Sequence, residues 1–189
     1  MPPLVWNEAP AAALAVTPAP VAAVVAPYVA PTAASVFIDA GALARDAQAL
    51  EVGWRRPWAR TDARERTPRW SGATELSLLR GWLPALNPAQ RRREFTQFLL
   101  VPVLRWEIRP VPSPWFAEVG LGLSVLDRRY RLRQTPQASR WNFEEVVAVG
   151  YRLGKGHEVS LRLSHFSNAG LRDPNPGGER LMLRWSMPL

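Results

Sequence analysis

The chain contains no cysteine, a single lysine (Lys155) and two histidines in 189 residues. Without cysteine there is no disulfide framework and no thiolate metal site, a composition permitted in any compartment. Long apolar runs are missing too: none approaches the ~18 consecutive residues that a membrane-spanning helix requires. The one Ala- and Val-rich stretch, residues 1–34, is interrupted by Pro18, Pro20, Pro27 and Pro31. It lacks the basic start and unbroken apolar centre of an export signal and keeps only small residues of cleavage-site type around Thr32-Ala33-Ala34. Residues 1–34 are therefore expected to be an atypical signal sequence or a disordered extension, and residues 35–189 a single domain.

What is abundant is arginine. The formal net charge is +8, carried almost wholly by a side chain whose planar fork suits phosphate and carboxylate. No helix-turn-helix, zinc or single-strand-binding motif accompanies that charge, so no nucleic-acid partner is expected. The arginines gather in runs between stretches of strand character (Arg60, Arg64, Arg66; Arg91, Arg92, Arg93; Arg128, Arg129, Arg131, Arg133). That distribution suits loops crowning a barrel near phosphorylated lipid headgroups, although an ordinary solvated surface has the same composition.

From Ser35 onward the hydropathy period is two, with turn-like segments at intervals. It predicts strands at about 35–45, 49–58, 69–82, 95–107, 115–126, 140–153, 157–167 and 179–188. In the clearest, Trp115, Ala117, Val119, Leu121, Leu123 and Val125 alternate with Glu118, Gly120, Gly122 and Ser124. About eight such strands are the signature of a small all-β, antiparallel transmembrane β-barrel of the outer-membrane type. A soluble lipocalin-like barrel shows the same alternation with inside and outside exchanged. Two features favour the membrane: an inward set of Asp39, Glu51, Glu75, Glu118, Glu144, Arg152 and Arg162, which makes a polar lumen, and tryptophans recurring near strand ends as interfacial girdles do. The strand from Phe95 to Trp106 is the exception, apolar on both faces and carrying Pro102.

Near the C-terminus, Val159, Leu161, Leu163, His165 and Ser167 share one strand face, and Glu179 shares one with Leu181, Leu183, Trp185 and Met187. A simple hairpin register pairs His165 with Glu179, Leu163 with Leu181 and Leu161 with Leu183. A serine, a histidine and a glutamate then converge on an apolar surface, as an esterase acting on a lipid needs: serine is a weak nucleophile until a base takes its proton, and the base needs a third group to orient it. His157 falls on the same face at the far rim. Glu145 has the parity of Phe143 and Val147, which puts a carboxylate on the lipid side; a headgroup-level position or a bulge is expected to relieve it.

The run His165-Phe166-Ser167-Asn168-Ala169-Gly170-Leu171, followed by Pro174-Asn175, Gly178-Glu179 and a closing strand ending Met187-Pro188-Leu189, closely resembles the C-terminal motif of the PagL-type lipid A 3-O-deacylases. The resemblance implies an eight-stranded outer-membrane barrel that hydrolyses the 3-O-linked 3-hydroxyacyl chain of lipid A. It makes Ser167 the nucleophile, His165 the general base and then acid, and Glu179 the orienting carboxylate. Asn168 with the following Ala169 and Gly170 amides, and Asn175, become candidates for holding the oxyanion or positioning the ester, and Phe143 the aromatic bordering the site. It implies no cofactor and no metal, takes lipopolysaccharide of the outer leaflet as partner, and leaves a homodimer open. The rival readings are an outer-membrane phospholipase A, and a non-catalytic small barrel of structural or adhesin type.

Overall fold

The computed structural model describes residues 33–43, 47–58, 70–85, 93–108, 113–129, 131–132 and 135–189. The expected extension at 1–32, and Arg60, Arg64, Arg66, Arg91, Arg92 and Arg133, lie outside the described residues. Every regular element among them is a strand: β1 Ser35–Leu43, β2 Ala47–Pro57, β3 Trp70–Leu83, β4 Arg93–Glu107, β5 Trp115–Leu126, β6 Arg131–Leu132, β7 Thr135–Pro136, β8 Trp141–Gly154, β9 His157–Ser167 and β10 Gly178–Pro188. Eight of them close into an antiparallel barrel in the order β1-β10-β9-β8-β5-β4-β3-β2, while β6 and β7 form a two-residue ribbon beside it that the alternation does not predict. Closure leaves no strand edge unpaired, the condition for a sheet to sit in lipid. Ser35 pairs with Pro188, so β1 and β10 meet at one rim, called here the foot; the connection between β9 and β10 lies at the other, called the crown.

The outer wall is apolar. Leu121, Leu161 and Leu183 are each more than half exposed, with Val119, Val147, Leu163 and Leu181 beside them. So broad an apolar belt has no place in water, and it matches the lipid-facing band of an outer-membrane barrel. Trp54, Trp58, Trp70, Trp106, Trp115 and Trp185 lie toward the foot, where Trp70 packs edge-on against Trp106 and Trp115 against Tyr151. Trp82 and Trp141 lie toward the crown, so the aromatic girdle is much denser at the foot.

Inside, two layers replace the uniformly polar lumen that the sequence suggests. Toward the foot, arginines and carboxylates interlock. Arg184 clamps Asp39 with two bonds of 2.7 and 2.8 Å and reaches Glu75 at 2.8 Å. Arg162 bridges Glu75 and Glu118, Arg55 reaches the same pair, and Arg105 joins Glu118 to Glu158. Burying these charges is tolerable only because each meets opposite charge at hydrogen-bond distance. Phe37, Phe95 and Phe116 lie across from Gly53, Gly81 and Gly150, and a Cβ on any of those glycines would fall within 2.2 Å of the facing ring. Arg184 and Arg105 cap two of these rings at 3.4 and 3.8 Å.

Toward the crown Leu43, Leu79, Leu83, Phe95, Leu99, Leu126 and Phe166, each at most 2 % exposed, pack around a buried polar cluster in which Arg180 binds Glu144, Gln97 and Ser164. This explains why β4 reads as apolar on both faces: Phe95, Leu99, Val101 and Val103 line the barrel interior from the crown downward while Phe98, Leu100 and Leu104 meet lipid. Pro102 faces outward on the same strand. Its missing N–H coincides with a gap in the ladder to β5, where pairing skips from Leu100–Leu123 to Val103–Gly120.

Candidate active site

β9 climbs from His157 at the foot to Ser167 at the crown, and period-two alternation sends His165 and Ser167 outward while Ser164 and Phe166 turn into the barrel. The β9–β10 register is the one the sequence suggests, with Glu179 across from His165, Leu181 from Leu163 and Leu183 from Leu161. Glu179 Oε1 stands 3.4 Å from His165 Nδ1, with the side chains 70 % and 40 % exposed. On the other flank β8 lies alongside β9, and Phe143 is the direct cross-strand partner of Ser167. Ser167, His165, Glu179 and Phe143 thus occupy one patch of outer wall under the crown.

The loop that follows Ser167 is held by its own polar groups. Ala169 and Gly170 both take positive φ, 53° and 75°. The Asn168 amide donates to Asn175 Oδ1 at 3.1 Å, the Asn168 side chain donates to the Arg172 carbonyl at 2.8 Å, and its Oδ1 accepts from the Gly170 amide at 3.0 Å. The Leu171 amide bonds back to the Asn168 carbonyl, and the Ala169 amide points at Ser167 Oγ from 3.3 Å. Asn168, only 2 % exposed, is consequently the staple of the loop, with its donors engaged within it. Of this set, the Ala169 amide faces the serine oxygen itself, and the Asn175 side-chain amide has its orientation fixed through Oδ1.

Beside Ser167 a groove of about 710 Å³ runs over the outer wall. Leu123, Val125, Trp141, Phe143 and Leu171 give it apolar lining, Arg129, Arg140 and Arg172 a cationic one, and Asn168 closes it toward the serine. Sequence reasoning did not assemble this feature, because its walls come from β5, the segment before β8 and the β9–β10 loop. Gly177 takes φ 55°, and a Cβ there would sit 3.1 Å from His165 Cε1, so a side chain would strain the backbone and crowd the imidazole together.

Glu179 and Arg180 are not a surface pair, since consecutive residues face opposite sides of the wall. Arg180 is 1 % exposed and binds Glu144, Gln97 and Ser164 from inside. His157 lies at the foot, accepting the Trp185 indole N–H at 3.3 Å, far along the strand from Ser167.

Residues 48–188 match the family model described as lipid A 3-O-deacylase (PagL), three quarters of the chain. The chain belongs to the lipid A 3-O-deacylase family. Among curated relatives, the lipid A deacylase PagL of Pseudomonas aeruginosa is 26 % identical over 161 residues, 83 % of this chain and 87 % of the relative. That of Bordetella bronchiseptica is 29 % identical over 86 residues, 46 % of each chain. The crystal structure of the outer membrane enzyme PagL superposes with a TM-score of 0.68 at 23 % identity, covering 82 % of this chain and 99 % of that one. The Yersinia pestis outer membrane protein Ail superposes more loosely, with a TM-score of 0.51 at 9 % identity over 82 % of this chain. This deacylase is accordingly an outer-membrane β-barrel enzyme, its apolar belt facing lipid and not a soluble interior.

Proposed function

We propose that this protein hydrolyses the ester of the 3-O-linked 3-hydroxyacyl chain of lipid A with a Ser167-His165-Glu179 triad on its lipid-facing wall. The observation that carries the reading is the convergence of these three side chains on one outward patch, with Glu179 Oε1 3.4 Å from His165 Nδ1. Glu179 orients the ring and balances the charge it acquires, which leaves Nε2 to take the Ser167 proton as Oγ attacks the ester carbonyl. The Ala169 amide and the Asn175 side-chain amide are the donors for the developing oxyanion, held ready by Asn168. One such donor is typically worth about 3–4 kcal/mol of barrier. The imidazolium then protonates the departing sugar oxygen, and a water activated by the same ring releases the 3-hydroxy fatty acid.

The groove supplies the rest of the recognition. Leu123, Val125, Phe143 and Leu171 lie against an acyl chain, and Arg129, Arg140 and Arg172 meet the anionic headgroup. In a barrel whose foot lies on the periplasmic side, the crown stands in the outer leaflet, where lipopolysaccharide resides, so the substrate arrives by lateral diffusion.

Mass spectrometry of lipid A from cells with and without the protein tests the assignment. Loss of one 3-hydroxyacyl group from the 3 position, absent with Ser167→Ala, is expected. Release of glycerophospholipid acyl chains instead, blocked by a chelator, moves the protein to the phospholipase class.

A further inference from the structure

Arginines at the crown differ in what they meet. Arg80 pairs with Glu94, Arg128 with Asp127 and Arg180 with Glu144, while Arg93 donates to the Pro84 and Arg131 carbonyls. Arg129, Arg140 and Arg172 are exposed, make no ion pair among the described residues, and all three line the groove beside Ser167. No aspartate or glutamate shares that lining; Asp173, next in sequence to Arg172, lies outside it.

Three separate segments bring these guanidinium groups to one place. Arg129 follows the end of β5, Arg140 directly precedes β8, and Arg172 sits in the β9–β10 loop. Arg140 is pinned there: its Nε donates to the Leu126 carbonyl at 2.7 Å and its own carbonyl accepts the Leu126 amide at 2.9 Å, which leaves both terminal nitrogens of the fork without an acceptor among the described residues. Arg172 hangs from the Asn168 staple, whose side chain donates to its carbonyl at 2.8 Å. Below the arginines, on the wall itself, the groove is apolar through Leu123, Val125 and Phe143.

Like charges gathered in one groove repel, and an anion of matching shape relieves them. A guanidinium fork gives two parallel hydrogen bonds to such an anion, and a fork already held in place loses less freedom in doing so. An amphiphile whose chain follows the apolar wall brings its headgroup to the arginines, and the anionic groups of a lipid A headgroup are phosphate monoesters. We propose that Arg129, Arg140 and Arg172 form a phosphate-binding subsite, with Arg140 its fixed fork, that reads a phosphate on the substrate's own saccharide and makes the enzyme select phosphorylated over dephosphorylated lipid A. The inference rests on the lipid A reading above and turns its headgroup contact into a rule of selection.

The test uses the full-length barrel in detergent micelles with three purified substrates: lipid A phosphorylated on both sugars, on the reducing sugar only, and on the distal sugar only. Wild type is compared with Arg140→Gln, Arg172→Gln and Arg128→Gln, and heat-modifiable mobility on a gel establishes that each variant is folded. On the doubly phosphorylated substrate Arg140→Gln is expected to raise KM about tenfold with kcat unchanged within about twofold, the mark of a contact made equally in ground and transition state. On the substrate that lacks the phosphate read, the same variant and the wild type are expected to agree within about twofold, since removing either partner removes the one interaction. Which singly phosphorylated substrate shows this identifies the sugar. Arg172→Gln, whose side chain has no protein bond to lose, is expected to follow the same pattern, and Arg128→Gln to match the wild type throughout. An equal loss on all three substrates overturns the proposal, as does a folded Arg140→Gln and Arg172→Gln that both match the wild type on doubly phosphorylated lipid A, or an equal loss in Arg128→Gln. Failure of the underlying reading is separately visible, as full activity in Ser167→Ala on every substrate.

Discussion

Two neighbouring stretches of chain place nearly the same chemistry on opposite sides of one wall. Glu144 and Arg180 face inward, fully buried, and bind each other, with Gln97 and Ser164 also bonded to the arginine. Glu145 and Glu179 are the very next residues, face outward, and flank His165. The inner pair neutralises itself and ties β8 to β10 behind the catalytic strand. Among the described residues the outer pair has no arginine or lysine within ion-pair distance, and Glu179 meets His165 instead, 3.4 Å away. A single-residue step along a strand thus separates a cross-brace from a reactive site, so a one-residue slip in register would destroy both together.

That contrast can be broken first on the outside. Ser167→Ala or His165→Ala is expected to reduce deacylation by roughly 10⁴-fold or more, while the mobility and melting of the folded barrel stay at wild-type values, because both side chains face outward. Loss of the folded form in parallel with activity would show that the outer residues brace the wall as well. Glu179→Ala follows, with a rate lowered by roughly 10²–10⁴ and measurable residual turnover, since an orienting carboxylate exchanges no proton.

On the inside, Arg180→Met leaves Glu144 buried and unpaired. It should cost about 3–5 kcal/mol of stability in denaturant titration, with a smaller effect on the turnover of the molecules that remain folded. Gly177→Ala tests the seam between the faces through the 3.1 Å approach of its Cβ to the imidazole; a loss of about tenfold in kcat with little change in stability is expected. The smallest effect is at His157, where replacement by Ala should alter activity less than about twofold, because its contact is with Trp185 at the foot.

The alternation that separates the faces is also what made the fold legible. Each of the eight strands expected from period two is present with ends displaced by at most two residues, and the β9–β10 register follows from one hydrophobic match. β4 resisted because its two faces are both apolar for different reasons, one meeting lipid and the other filling the crown interior. The clustering of the proposed trio was readable because His165 and Ser167 lie two apart on a greasy face and Glu179 is one hairpin away. The groove was not, since Arg129, Arg140 and Arg172 come together only through loop paths that no local period encodes.

The packed crown interior decides how material reaches and leaves Ser167. Among the described residues, Leu43, Leu83, Phe95, Leu126 and Phe166 pack with the Arg180–Glu144–Gln97 cluster inside the crown behind the proposed site, and the interlocked charges occupy the interior below them. On the proposed mechanism the reaction is therefore served from outside the barrel. The water of the proposed reaction would then come down from the headgroup layer, past the Asn168 loop, and the released fatty acid would depart sideways into the leaflet that supplied its parent. Traffic through this enzyme is two-dimensional on the lipid side and one-sided on the water side, with the barrel a solid post around which it moves.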